Sequence, residues 1–252
     1  MWRCSFTSLM PDNIVKPPKT LLRHVGRAIA DFDMIRDGDR ILIGVSGGKD
    51  SLSLLQILYH LKTYAPVKFD LGVITVDPEV EGFNPSALTD YYDNLGLTWF
   101  YEQQPIMEDA KTKMQGDSFC AYCARMKRGI MYRVCRENNY NVLALAQHLD
   151  DLAESFMMSA FHKGKLDTMK AHYTNDAGDT RIIRPLVYAR ENQMAEFAKN
   201  AGLPIIPDSC PACFSAPTQR EYFKQMLRQE ELKNKQLFGS LLSAMRPLMS
   251  DR

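Results

Sequence analysis

Apolar residues recur at Leu21, Leu22, Val25, Ala28, Ile29 and Phe32. That is the three-and-four spacing of one helix face, so 19–32 is predicted as an amphipathic helix. Pro17-Pro18 precede it as a start signal, and Asp37-Gly38 close the connection to the next element. The run Ile41-Leu42-Ile43-Gly44-Val45 reads as a strand and 51–63 as a helix. Further strands are predicted over 69–76, 97–101 and 142–146. Helices are predicted near 87–95, within 105–119, and over 122–138, 150–161 and 191–201. Helix 122–138 should bury Met126, Ile130, Met131 and Val134. Strands alternating with helices imply parallel βαβ units with right-handed crossovers. Segments 169–174 and 180–184 flank Asn175-Asp176-Ala177-Gly178-Asp179 and read as a β-hairpin that interrupts this rhythm. A proline-bounded stretch, 203–207, leads towards a tail that is helical from Gln219. The predicted class is α/β, a doubly wound, mainly parallel sheet with helices on both faces and a helical C-terminal tail. A division into 1–36, 37–218 and 219–252 follows.

Between the first strand and its helix lies Ser46-Gly47-Gly48-Lys49-Asp50-Ser51. Glycines let backbone N–H groups come close to a phosphate, and the helix start adds its positive dipole end. Lys49 adds a mobile cation. The spacing of a Walker A loop is absent. The hexapeptide in a strand–turn–helix context predicts a polyphosphate site of another kind.

Composition adds bounds. At 252 residues, 45% hydrophobic and 24% charged, the chain is an ordinary globular protein of one large domain, or one domain and a small extension. No stretch approaches the roughly 18–20 apolar residues of a membrane helix, so no membrane partner is expected. Met1-Trp2-Arg3-Cys4-Ser5-Phe6 carries no signal-peptide pattern, and a cytoplasmic location is expected. The net charge of +1 argues weakly for a nucleic-acid partner, but the charges are segregated. Segment 77–109 has eight acids and no Lys or Arg, whereas 111–136 carries seven Lys and Arg, among them Arg125, Lys127, Arg128 and Arg133. That basic helix is either a solvated face or a track for a polyanion.

Of six cysteines, Cys120/Cys123 and Cys210/Cys213 form C-x-x-C pairs, while Cys4 and Cys135 stand alone. Cys135 reads as a buried small hydrophobe. Cys120 and Cys123 precede or open helix 122–138, where the helix start and neighbouring cations favour thiolate. The two pairs admit a structural zinc, a persulfide or redox disulfide, or a [4Fe–4S] cluster with one open iron. Spacing alone does not separate them. Lys127 lies one helical turn past Cys123, on the same face. His148-Leu149-Asp150-Asp151 follows strand 142–146, at the strand end where open α/β sheets bind ligands. Asp150 or Asp151 serves as a helix N-cap, or Asp151 holds Mg²⁺ or assists proton movement.

Ser46-Gly47-Gly48-Lys49-Asp50-Ser51 resembles the PP-loop of the N-type ATP pyrophosphatases. Cys120-Ala121-Tyr122-Cys123, Ala146-Gln147-His148-Leu149-Asp150-Asp151, Gly164-Lys165-Leu166, Ile183-Arg184-Pro185-Leu186 and Pro204-Ile205-Ile206-Pro207 occur in the order seen in the TtcA family of tRNA 2-thiocytidine synthetases. The likeness runs over about residues 21–232. It implies the adenine-nucleotide α-hydrolase (PP-loop) fold and cleavage of ATP between the α- and β-phosphates. It implies adenylation of a base oxygen and its replacement by sulfur, with cytidine 32 of tRNA as the target. The implied catalytic residues are Lys49, Asp50, Lys127 and Asp151. Implied ATP contacts come from Ser46, Gly47, Gly48, Lys49, Asp50, Ser51, Asp77 and His148. Cys120, Cys123 and Cys213 are the implied [4Fe–4S] ligands, leaving Cys210 spare. Asp151 is the implied Mg²⁺ ligand, and Arg125, Arg128 and Arg133 the expected RNA contacts. The implied partners are tRNA, a sulfur donor (sulfide or a cysteine desulfurase) and a second copy in a homodimer. Gln147 and Leu149 depart from the family, which commonly has His and Arg there. The competing expectation is the same adenylating fold with another acceptor, a 2-thiouridine site or a small molecule. The zinc fingers at both ends of the TtuA-like enzymes have no counterpart here. A non-catalytic nucleotide-binding module is disfavoured because Lys49 and Asp50 are both present.

Overall fold

The computed structural model describes residues 15–80, 82–113, 119–207 and 218–250. Six strands form one sheet: β1 (Asp39–Gly44), β2 (Phe69–Asp77), β3 (Thr98–Gln103), β4 (Val142–Ala144), β5 (His172–Thr174) and β6 (Arg181–Ile183). Their order is β3-β2-β1-β4-β6-β5. Every neighbouring pair is parallel except β5 and β6, which form the expected hairpin. The hairpin does not stand apart from the sheet. β6 also pairs with β4, Leu143 opposite Ile182, so the hairpin extends the sheet by two strands.

The helices are α1 (Lys19–Asp31), α2 (Lys49–Tyr64), α3 (Ser86–Asn94), α4 (Ile106–Lys113), α5 (Phe119–Glu137), α6 (Leu149–Lys163), α7 (Glu191–Asn200), α8 (Gln219–Lys233) and α9 (Leu237–Met245). Successive strand residues point to opposite faces. Ile41 and Ile43 therefore enter the larger core, with residues of α1, α2, α6, α7 and α8. Leu42, between them, enters a smaller core with Ile130, Met131, Val134 and Cys135 of α5. Cys135 is fully buried, and burial pushes its thiol up to about 12, so it is inert packing as expected. Met126 lies only half-buried, while Tyr122 takes a core place the periodicity did not assign.

The chain passes from β1 to β2 on one side and later fills β4 on the other. The carboxyl ends of β1 and β4 therefore border the point where the winding reverses, the usual crevice of such sheets. α8 is not a loose tail. It packs on α6 and sends Arg220, Lys224 and Glu231 towards this end of the sheet.

Candidate active site

The loop after β1 is braced by its own hydroxyls. Ser51 Oγ donates to the Gly48 carbonyl at 2.9 Å and receives the Ser46 N–H at 3.2 Å. Ser46 Oγ in turn accepts from the Gly48 N–H at 3.4 Å. Gly47 has φ +86°, and a Cβ there would lie 2.2 Å from Ile206 Cγ1. Ile206 also donates its N–H to the Gly47 carbonyl at 3.1 Å. The proline-bounded stretch is thus a strap laid on the phosphate loop, which only glycine permits.

Lys49 opens α2. Its Nζ contacts Asp50 Oδ2 at 3.0 Å and Glu191 Oε1 at 3.1 Å. Lys224 Nζ meets the same Glu191 oxygen at 2.8 Å. Burial opposes the Glu191 charge, but the bonds and charges of Lys224 and Lys49 outweigh it and hold that carboxyl at about 2. Asp50 goes the other way: burial raises it, against His148 and Lys49. Its Oδ1 is buried without a hydrogen-bond partner among the described residues.

At the start of α6 the N-cap is His148. Its Nδ1 accepts the Asp151 N–H at 3.4 Å, and Asp151 Oδ2 accepts the His148 N–H at 3.0 Å. Because Nδ1 is an acceptor, the ring hydrogen sits on Nε2, which faces Asp50 Oδ2 at 3.8 Å. Asp151 also receives Arg220 Nη2 at 3.3 Å, while Arg220 Nε bonds to buried Glu154 at 2.8 Å. Asp150 has a different task. It accepts from Arg190 and from the Glu191 N–H at 2.8 Å, joining α6 to the start of α7.

A cleft of about 470 Å³ opens between these elements. Ser46, Gly48, Asp50 and Ser51 form one wall, Ala124, Lys127, Arg128 and Met131 of α5 another, and Gln147, Asp151, Arg184 and Arg220 a third. Lys127 and Arg128 form no ion pair among the described residues. Cys120 and Cys123 lie in the first turns of α5, exposed and half-buried respectively. Helical spacing sets Cys120, Ala124, Lys127 and Met131 in one stripe, so the thiol end of α5 continues the cleft wall. Cys120 is among the electrostatic neighbours of Arg220, another residue of the cleft wall.

Several expected site residues are placed elsewhere. Asp77 is buried at the end of β2, accepting from the Tyr101 hydroxyl and the Glu79 N–H, outside the cleft wall. Arg133 is engaged by Glu102 at 2.7 Å and by Glu137 at 3.4 Å. Arg125 stacks over Tyr122, 5.7 Å from its ring centre. Cys210 and Cys213 lie outside the described residues. Glu191, Ile206, Arg184 and Arg220 complete the site and were not singled out from the sequence. Arg184 and Ile206 fall inside two of the quoted motifs, but nothing local gives them a role.

Two implied groups can be tested on these residues. Mg²⁺ takes few protein carboxylates and fills its remaining positions with phosphate and water. The unpartnered Asp50 Oδ1 and the cleft-lining Asp151 fit that need. Cys120 and Cys123 fit as soft thiolate donors beside cations, and any third cysteine ligand comes from outside the described residues.

This fold and loop define a nucleotide-binding α/β enzyme of the PP-loop class. The PP-loop domain family model matches residues 19–234, and the chain belongs to that family. Within it, the chain is 40% identical to the tRNA-cytidine(32) 2-sulfurtransferase of Geobacter sulfurreducens, over 90% of this chain and 89% of the relative. It is 38% identical to the enzyme of that name from Aliivibrio salmonicida, over 95% and 78%. The chain belongs to the tRNA-cytidine(32) 2-sulfurtransferase family, the TtcA family its motifs resemble. Its fold is similar to that of the U34-tRNA thiolase NcsA from Methanococcus maripaludis, solved with its [4Fe–4S] cluster. The TM-score is 0.76 at 21% identity, covering 93% of this chain and 79% of that one.

Proposed function

We propose that this protein is an ATP-dependent tRNA thiolase that converts cytidine 32 to 2-thiocytidine through an adenylated base. The observation that carries the reading is one cleft lined by both the phosphate loop and Lys127 and Arg128 of the helix that bears Cys120 and Cys123. The names of the relatives at about 40% identity supply the base and its position.

The loop N–H groups and the start of α2 receive the triphosphate of ATP. Lys49 exchanges Glu191 for the β- and γ-phosphates, whose departure it assists. Asp50 and Asp151 would hold Mg²⁺, which offsets phosphate charge. The cytidine must leave its stack to enter the cleft. Its O2 attacks the α-phosphorus, forming the O–P bond as pyrophosphate leaves with the electrons of the broken bond. A hydrosulfide nucleophile then adds at C2, the C2–O2 bond breaks to release AMP, and the S–H proton passes to solvent to leave the C2 thiocarbonyl. Lys127, on the stripe between thiols and loop, holds the departing AMP phosphate. Cys120, Cys123 and Cys213 would hold a [4Fe–4S] cluster, which supplies an iron at which sulfide is carried. Sulfide or a cysteine desulfurase is the donor. The working form is a cytoplasmic homodimer.

Purified protein, given ATP and unmodified tRNA, should release pyrophosphate and AMP. Nucleosides from a strain lacking the gene should lack 2-thiocytidine. ADP and phosphate as products, or unchanged nucleosides, would remove the reading.

A further inference from the structure

The cleft wall contains a buried charge whose hydrogen-bond partners are neutral. Arg184, just past β6, is 6% exposed. Among the described residues no carboxylate pairs with it. Its Nε donates to Gln147 Oε1 at 2.8 Å, and its Nη1 donates to the Lys170 carbonyl at 2.5 Å. Its guanidinium lies 5.4 Å from the Tyr173 ring centre.

A guanidinium only donates. The Gln147 oxygen must therefore be the atom facing Arg184, and the NH₂ is turned away from it. Gln147 lines the cleft beyond β4, and its NH₂ makes no hydrogen bond among the described residues. A donor of fixed direction thus stands in the cleft wall.

We propose that the Gln147 NH₂, held by Arg184, reads ring nitrogen N3 of the target cytosine. This rests on the function proposed above. Cytosine offers a lone pair at N3, beside the O2 that is adenylated. Uracil offers an N–H at the same place, so two donors would meet with no acceptor between them. Leaving such groups unpaired disfavours uracil by about tenfold to a hundredfold. Gln147 is a specificity residue, and Arg184 a positioning residue acting through it.

The test uses the full chain, ATP and two anticodon stem-loop RNAs that differ only by C or U at position 32. Pyrophosphate release is read, which needs neither sulfide nor cluster. Wild type should prefer C in kcat/KM by at least about tenfold. Gln147→Glu puts an acceptor before N3. It should narrow or invert the ratio by about tenfold, with the KM for ATP shifting less than about twofold. Gln147→Leu should slow the C substrate and leave the U substrate nearly unchanged. A merely structural role would slow both RNAs equally and leave the ratio alone. An unchanged ratio in both variants, or a rise only in the KM for ATP, overturns the proposal. No release by wild type with either RNA overturns the thiolase reading itself and this proposal with it.

Discussion

Gly47→Ala isolates the contact between the phosphate loop and its strap. The native φ of +86° is left-handed. There a Cβ costs roughly 1–2 kcal/mol. The new methyl would also sit 2.2 Å and 2.4 Å from Ile206 Cγ1 and Cδ1, far inside contact distance. Overpacking of this kind costs about 1–3 kcal/mol. The expected loss of stability is therefore about 2–5 kcal/mol, set by how far Ile206 withdraws. Withdrawal is resisted by the Ile206 N–H bond to the Gly47 carbonyl. Urea unfolding of wild type, Gly47→Ala, Ile206→Ala and the double variant measures each part. Ile206→Ala removes the overlapping atoms, so in its background Gly47→Ala should keep only the backbone cost. The two changes should then be non-additive by about 1–3 kcal/mol. A loss below about 1 kcal/mol for Gly47→Ala, or strict additivity, would refute the reasoning.

Glu191 stands at about 2 against an ordinary 4.5, so its contribution is complete above pH 4.5 and is lost as pH falls towards 2. The stability gap between wild type and Glu191→Gln should accordingly shrink by about 1 kcal/mol from pH 6 to pH 3.5; a gap independent of pH would contradict the ion-pair assignment. Lys49→Ala should abolish pyrophosphate release, because the cation on the leaving group is gone; undiminished turnover would remove that role. Protein purified without oxygen should be brown, with about four irons per chain, and Cys120→Ser or Cys213→Ser should lose more iron than Cys210→Ser. A colourless protein with one zinc would reverse that assignment. Arg128→Glu should weaken tRNA binding and flatten its salt dependence by about one unit of slope, and by more than Arg133→Glu, whose side chain Glu102 already engages. Equal effects of the two would show that the cleft-facing cation has no special place.

Local periodicity was enough for the elements, because each buries one stripe or one strand face. Helices 19–32 and 191–201 and the strand ending at Asp77 lie within two residues of α1, α7 and β2. The phosphate loop was legible because its chemistry is contiguous: glycines, lysine and hydroxyls all occur within six residues. What was not legible joins distant segments. Glu191 meets Lys49 across 142 residues, and Arg220 meets Asp151 across 69. No local pattern marks such a partner, since an acid at a helix start reads first as a dipole complement. The same blindness affected His148. Two adjacent aspartates suggested an N-cap, yet the imidazole caps and Asp151 returns the bond. With the His148 ring as the cap acceptor, Asp150 is free to pair with Arg190, while Asp151 answers the His148 N–H with Oδ2 and turns Oδ1 to Arg220.

The near-zero net charge, which argued only weakly for a nucleic-acid partner, matters less once the charges are located. Encounter with a polyanion depends on the field in the cleft and not on the sum over the chain. Among the described residues, no acid of segment 77–109 lines the cleft. Glu102 engages Arg133, Asp109 engages Lys113, Asp93 accepts from the Trp99 ring N–H, and Asp77 accepts from the Tyr101 hydroxyl. Behind the loop, Glu191 and Glu231 are consumed by Lys49, Lys224 and Arg190. The wall itself keeps Lys127, Arg128, Arg184 and Arg220 against Asp50 and Asp151. If Asp50 and Asp151 engage Mg²⁺, the ion offsets their charge and part of the charge that ATP brings, leaving the wall's cations for the remaining phosphates. The segregation visible in 77–109 and 111–136 is the sequence trace of that arrangement. Lys127 and Arg128, which form no ion pair among the described residues, carry the basic track from the thiol end of α5 into the cleft.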